Sequence, residues 1–400
     1  MNKAFFKGTL KCVTPIAIGS GKSDFTDNDL LYDCNGVPFI PGTTLAGVSR
    51  HYLENCGFKT NDLFGFISLE PEKKNGEVYY PREESRIIFY ESFLSGSFIK
   101  NFRDGVAITE DGVAADGAKF DYEIVEAGCK FDFKIEIDNF VEIDKKMISC
   151  LLDGLNKGFV RLGHNSNRGL GKVEVEELKF KKISNIDELV SFDWSQVNDD
   201  FNLTEISSDY IEKSYKFNVK SFVMIADNAT LEKKDDKLIN AEMLKNADGK
   251  SVVPGTSWAG VFRNHFNKIL TLVGYENKTA FLNKLFGSTE QASKIVFDES
   301  VIEDATRIQQ TRNAIDRFTG GASDKKLFTN MLSFGGNVEL KIHIKANSDK
   351  NLLTEDEMKL SESLIAQTIA DLNDGYLNIG GLGSVGGGLL TQVKEGDTNA

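Results

Sequence analysis

Residues 38–50 read Pro-Phe-Ile-Pro-Gly-Thr-Thr-Leu-Ala-Gly-Val-Ser-Arg, and residues 252–263 read Val-Val-Pro-Gly-Thr-Ser-Trp-Ala-Gly-Val-Phe-Arg. Both stretches put a Pro-Gly-Thr turn ahead of Ala-Gly-Val and an arginine, about half a chain apart. A repeat of this length and spacing means two copies of one module, so fold and function are argued for a pair.

The duplication extends outward in both directions. Ser85-Arg-Ile-Ile-Phe-Tyr-Glu-Ser92 matches Ser293-Lys-Ile-Val-Phe-Asp-Glu-Ser300, and each follows a Leu-Phe-Gly, at 63–65 and 285–287. Gly112, Ala114, Asp116 and Phe120 match Gly320, Ala322, Asp324 and Phe328 at one fixed offset, with Ala107-Ile108 and Ala314-Ile315 just ahead. Strict alternation then marks a strand in each copy, through Phe131, Phe133, Ile135 and Ile137 and through Val338, Leu340, Ile342 and Ile344. Helices are expected over 145–156 and 355–373, each followed by a glycine-rich segment, 162–171 and 379–388. Each module opens with a strand, expected over 5–18 and 216–225, and the Pro-Gly-Thr turn starts a helix whose apolar face carries Leu45, Val48, Tyr52 and Leu53, or Trp258, Val261, Phe262, Phe266 and Ile269.

Strand, helix, strand, repeated within each module, is the split-βαβ order of a ferredoxin-like antiparallel sheet with helices on one face, an α+β fold. The modules are expected at 1–182 and 213–400. Between them lies an unrepeated acidic linker, 183–212, with room for a short helix. Four hundred residues suit two domains, and 40% hydrophobic residues with only six prolines are ordinary globular composition. The five cysteines all lie in the first half with no CxxC pair, which argues for free thiols in a reducing compartment and against a zinc site. With no apolar run of membrane-spanning length, a cytoplasmic, soluble protein with no membrane partner is expected. A net charge of −13 argues against a generic nucleic-acid binder, although residues 181–210 alone hold seven acids against Lys181 and Lys182.

Taken together, the Ile-Pro-Gly-Thr-Thr-Leu-Ala-Gly helix start, Leu-Phe-Gly, the Ala-Ile insert and the terminal loop Ser166-Asn-Arg-Gly-Leu-Gly171 resemble the RAMP superfamily. The match is nearest to the backbone subunits of type III CRISPR effectors and, with two modules fused, is similar to the tandem form of type III-D. The resemblance implies that each module lays a segment of guide RNA (crRNA) across its sheet and drives a β-hairpin thumb between guide and complementary target RNA. The thumbs would fall within 101–123 and 309–331. It also implies partners, other RAMP subunits and the large subunit of a type III effector.

The family cuts target RNA with an acid in the loop before the Ile-Pro-Gly turn. The first module offers Asp24, Asp27, Asp29 and Asp33 there; Asp27 aligns best, and Asp29 is its neighbour in the site. A carboxylate could orient a 2′-hydroxyl for in-line attack or position a divalent cation, Mg or Mn, whose ligands the sequence does not define. Asn240 stands opposite Asp27, and an amide is neither base nor good ligand, so the second module is expected to cut poorly, unless Asp235 or Asp236 substitutes. A solvated acidic loop is the bland alternative at Asp27.

Guide contacts are expected in three places. In the first loop, Gly163, Gly169 and Gly171 let backbone N–H groups approach phosphates, with His164, Ser166, Asn167 and Arg168 beside them; in the second, Gly380, Gly381, Gly383, Ser384 and Gly386 do so without the arginine, which is Val385 there. Thr43, Thr44, Thr256 and Ser257 sit where a helix N-terminus favours phosphate or where a hydroxyl simply caps the helix, and Arg50 and Arg263 face RNA or a neighbouring acid. Arg312 and Arg317 belong to the second thumb. The P-loop-like Gly19-Ser-Gly-Lys-Ser23 and the GxGxxG at 381–386 lack the context for a nucleotide site, and the four histidines have no metal-ligand spacing. Two further readings stay open: a purely structural backbone subunit, and a RAMP enzyme that processes precursor guide RNA, for which only His51 is near enough to be the base.

Overall fold

The structure, a computed structural model, describes residues 2–21, 27–68, 70–74, 77–108, 114–203, 210–227, 239–288, 290–345 and 353–393. At 72–74, 77–79, 107–108, 114–119, 210 and 325 it describes the backbone alone. The first module runs β1 (Lys3–Cys12), α1 (Gly42–Asn55), β2 (Ile87–Phe89), β3 (Ser92–Ser95), a hairpin of β4 (Lys100–Ile108) and β5 (Ala114–Val125), β6 (Lys130–Ile137), α2 (Glu142–Lys157) and β7 (Val173–Ile183). A connecting stretch holds α3 (Ile186–Val190) and β8 (Asp199–Asp200). The second module runs β9 (Tyr210–Val219), α4 (Gly255–Leu272), α5 (Lys278–Phe286), β10 (Ile295–Phe297), β11 (Ser300–Glu303), a hairpin of β12 (Thr306–Ile315) and β13 (Ala322–Phe334), β14 (Asn337–Lys345), α6 (Glu355–Asn373) and β15 (Leu390–Gln392).

Each module is the expected antiparallel sheet. In the first, β1 lies between β6 and β7, with β2 and β3 beyond β6; in the second, β9 lies between β14 and β15, with β10 and β11 beyond β14. This is the ferredoxin-like strand order. Alternation decides the packing: Ala4, Phe6 and Leu10 join Phe131, Phe133, Ile135 and Ile137 on the face that α1 and α2 cover with Leu45, Leu53, Ile148 and Leu152. A second, separate core repeats this with Phe217, Leu340, Ile342, Trp258, Phe262 and Ile365. Each large side chain buried this way contributes roughly 1.5–3 kcal/mol.

The opening strands end sooner than the sequence suggested, at Cys12 and Val219 rather than at 18 and 225. Pro15 has no N–H for a ladder, and the residues beyond leave the sheet to pair with the hairpin instead, Ile16 with Val125 and Phe222 with Phe334. That switch hangs each hairpin on the loop that follows the first strand.

The acidic stretch between the modules is more than a tether. Phe192 stacks on Phe5 at 3.9 Å, Trp194 stands edge-on to both Phe5 and Tyr90, and Val197 is fully buried. These apolar groups cover the sheet face opposite α1 and α2, and β8 pairs with β7 at its edge. Residues 204–209 lie outside the described residues.

The modules meet where the glycine-rich loop of the first reaches the second. A Cβ at Gly169 would stand 2.7 Å from the backbone nitrogen of Glu299, and one at Gly255 would stand 2.5 Å from the carbonyl oxygen of Arg168. Buried Arg161 pairs with buried Asp298 across the same contact.

Candidate functional site

The repeated Pro-Gly-Thr turn is explained first by packing. A Cβ on Gly42 would stand 2.1 Å from the carbonyl oxygen of Phe89, and one on Gly255 would stand 2.2 Å from that of Phe297, so only glycine lets the helix start pass over the sheet. The hydroxyls do not cap these helices, contrary to the capping alternative. Pro41 and Pro254 occupy the cap positions, no side chain accepts there, and Thr43, Thr44, Thr256 and Ser257 lie inside the first turn. By contrast α6 has a capping threonine, Thr354, which accepts from the Glu357 N–H. Thr43 and Thr256 are exposed, beside the first-turn N–H groups of the two longest-matched helices. Arg50 and Arg263 are committed elsewhere. Arg50 donates to Glu54, to Asn61 and to the carbonyl of Gly65, while Arg263 donates to Asn283 and to the carbonyl of Gly287, which ties each helix to the repeated Leu-Phe-Gly.

The acidic loop reaches the hairpin at Asp27. Its N–H donates to the Asp121 carboxylate at 3.1 Å, and the Asp121 N–H donates back to the Asp27 carboxylate at 3.4 Å. Asp121, on β5, is a residue the sequence reading missed, because its pairing with Asp27 spans the whole hairpin. Next along, Glu123 accepts from the Leu30 N–H, the Tyr32 hydroxyl and Lys100, and its own N–H donates to the Asn28 carbonyl. The second module joins loop and hairpin at the matched positions with one contact changed: the Asn240 side-chain oxygen accepts from the Thr329 N–H at 2.7 Å, as Asp27 does from Asp121, but the Asn240 N–H donates to the Thr329 backbone carbonyl rather than to a side chain. Asn240 therefore occupies the Asp27 position, and Thr329 the Asp121 position. Asp29 sits in a two-residue strand opposite Gly21, and Asp33 closes a turn by accepting from the N–H groups of Asn35 and Val37, which holds its carboxyl below the usual range. Asp24, Asp235 and Asp236 lie outside the described residues.

A groove of about 410 Å³ brings several expected residues together, with Thr44 and Val48 from α1, Gly163 and His164 from the glycine-rich loop, and Ile18, Gly19 and Asn28 from the acidic loop. Within that loop many N–H groups are already used. His164 N–H donates to the Ala17 carbonyl, Gly171 N–H to Pro15 and Arg168 N–H to Asn165, so the glycines serve close packing against the segment after β1. A Cβ on Gly163 would stand 2.4 Å from Ala17 O, and one on Gly171 only 2.0 Å from Leu162 O. Ser166 and Asn167 form a single 3-10 turn with Arg168, whose guanidinium lies over the Phe120 ring at 5.6 Å. His164 stands edge-on to Tyr122, and burial together with nearby Arg168 holds its imidazole below the ordinary value, hence neutral at pH 7.

The second loop repeats the packing, with Gly381 N–H donating to the Met224 carbonyl and Gly388 N–H to that of Phe222. Gly380, Gly381, Gly383, Ser384 and Val385 are exposed there, and nothing lies within 4 Å of a Cβ on Gly386, whereas Gly169 is pressed against the second module.

Both hairpins stand where the thumbs were expected. On the second, Arg312 lies over the Phe222 ring at 5.3 Å, while Arg317 is at the tip beside Phe318, which is 100% exposed. Leu327 and Phe328 add further exposed apolar surface.

Among the described residues no three His, Cys, Asp or Glu groups stand together as a metal site. Asp27 and Asp121 bring two carboxylates to this place, a donor set of the chemistry suited to a hard divalent cation that takes one or two carboxylates and completes its shell with water and phosphate. Among the described residues, no helix is long and apolar enough to cross a membrane.

Comparison with known proteins accords with this architecture. The sequence model described as the RAMP superfamily matches residues 9–174 and again residues 216–391. A curated protein from Methanocaldococcus jannaschii named CRISPR system Cms endoribonuclease Csm3 is 26% identical over 200 residues, 44% of this chain and 80% of that protein.

Proposed function

The chain belongs to the RAMP superfamily, matched once over each module, and on that premise we propose that it is a guide-RNA-binding backbone subunit of a type III CRISPR effector whose first module cuts complementary target RNA. It would work in the cytoplasm with other RAMP subunits and the large subunit of such an effector. One observation supports the cutting: two carboxylates, Asp27 and Asp121, each accept the other's backbone N–H where the acidic loop meets the hairpin, and the matched pair in the second module is Asn240 and Thr329.

The hairpin separates target from guide and leaves one target nucleotide unstacked, which allows its 2′-hydroxyl to line up behind the next phosphate. Reciprocal backbone bonds fix both carboxylates before substrate arrives, so little reorganisation remains to be done at the moment of reaction. Asp27 and Asp121 would hold a divalent cation, Mg or Mn, which supplies charge neutralisation at the scissile phosphate when bound. Guide phosphates would run past Thr44, Gly163 and His164 along the groove. His164, neutral, donates or accepts there without adding charge, and Arg168 supplies the cation.

The decisive experiment is Asp27→Ala and Asp121→Asn in the assembled effector with a complementary RNA. Each is expected to slow one specific cut at least a hundredfold with guide binding unchanged. An unchanged ladder of products would leave the chain a structural backbone subunit. Incubating the isolated protein with repeat RNA checks the processing alternative, for which a cut within the repeat is the required result.

A further inference from the structure

We propose that the two modules are locked in order by a buried charge key that neither outer end of the chain carries, so that a second copy of the chain is refused at this junction. The inference stands independently of RNA binding, because it rests on the module contact alone.

At the contact the first module contributes Arg161, Lys172 and Arg103, and the second contributes Asp298, His343 and Glu299. Arg161 hydrogen-bonds Asp298 while its Nε donates to the Gly158 carbonyl at 3.0 Å, so the guanidinium is aimed before docking. Lys172 reaches the other Asp298 oxygen at 3.8 Å, and His343 Nε2 lies 3.2 Å from it. Arg103 stands 3.6 Å from Glu299, and Phe159 packs edge-on against His343. Asp298, Arg161 and Arg103 are each less than a tenth exposed. Removing one member of such a group leaves an uncompensated buried charge, which is strongly unfavourable.

Strand register and the matched segments map the key onto the opposite module, where Glu91 repeats Glu299 and the other members change. Ile295 pairs with Ile344 as Ile87 pairs with Ile137, which places Tyr90 at the Asp298 position and Glu136 at the His343 position. There the Tyr90 hydroxyl donates to Glu136 at 2.7 Å, and Trp194 stands edge-on to Tyr90. In the glycine-rich loops, Asn378 takes the place of Arg161 and Leu389 that of Lys172. On the hairpins, Gln310 takes the place of Arg103. At the matched positions the outer end of the second module thus brings no cation, and the outer face of the first has Glu91 and a Tyr90-bonded Glu136 but no acid at position 90. A second copy presenting Arg161 and Lys172 there would meet a phenol in the place of Asp298 and would compete with Tyr90 for Glu136, and a copy presenting Asn378 to Asp298 would leave that buried carboxylate with His343 but without its arginine and lysine.

The test uses the whole chain with a protease site placed between Asn202 and Tyr210. After cleavage, the halves are expected to stay together as a one-to-one pair on size exclusion. A reversed chain, R161E/K172E/D298R, is expected to keep its own halves paired. When the two cut proteins are mixed with the wild-type first module tagged, the tag is expected to capture the wild-type second module over the reversed one by more than tenfold. Equal capture overturns the proposal, and so does concentration-dependent oligomerisation of the uncut wild-type chain by sedimentation. Should circular dichroism show the reversed chain unfolded, Asp298→Asn in the uncut protein decides instead. Hydrogen exchange across residues 163–171 and 255–258 should then rise at least tenfold while the core amides of β6 and β14 hold. Wild-type protection in that variant rejects the key.

Discussion

At the residue scale, the glycines of the repeated turn separate two uses of one amino acid. Gly42 and Gly255 are pinned by carbonyl oxygens about 2 Å from where a Cβ would stand, whereas Gly47 and Gly260, each five residues further into the same helix, have nothing within 4 Å. Gly42→Ala and Gly255→Ala are therefore expected to cost about 2 kcal/mol or more through overpacking against backbone, and Gly47→Ala and Gly260→Ala to stabilise by roughly 0.5–1 kcal/mol through helix propensity. Urea unfolding of the four variants reads both signs. The sequence displayed the Pro-Gly repeat without its reason. A glycine needed for close approach and a glycine near a phosphate look alike until the facing carbonyl is seen, and the hydroxyls that suggested caps turned out to follow a proline cap. Asp27 was legible because it precedes a repeated motif. Its partner Asp121 was not, since 94 residues separate them and no spacing rule joins a loop to a hairpin strand.

At the element scale, the hairpins were legible and the connecting stretch was not. The family resemblance implied a hairpin over the stretch where Gly, Ala, Asp and Phe recur at a fixed offset, while the acidic composition of 181–210 hides the few apolar residues that fasten the connecting stretch. Val197→Ala is expected to lower stability by about 2 kcal/mol, from lost burial and the cavity left under Phe5 and Ile183, again measured by urea. The tip of the second hairpin behaves oppositely. Phe318 touches solvent only, so Phe318→Ser should leave the melting temperature of the free protein within a degree or two. If the tip stacks on a base, the assembled complex should engage target about tenfold more weakly. Full target engagement by that variant would show that the tip lies clear of the RNA.

At the scale of the molecule, acid should part the modules before it unfolds them. Burial alone would raise the Asp298 carboxyl, but Arg161, His343 and Lys172 hold it far below the ordinary value of about 4. A folded pKa below the unfolded one contributes stability that is present above pH 4 and is lost as pH falls beneath it. Calorimetry is expected to show one transition at pH 6 dividing into two below pH 4, with Asp298→Asn already divided at pH 6. A single transition throughout would mean that the junction does not depend on this carboxylate. The duplication foretold two cores. It did not foretell their contact, because the charges involved are the ones that differ between the copies.

The closed junction has a further consequence for supply. Two modules held at the millimolar effective concentration of one polypeptide find each other whatever the expression level, and they do so with their differing loops always in the same order. Scarcity of the chain would then change how many pairs a cell possesses, never the ratio of Asp27-bearing to Asn240-bearing modules within them.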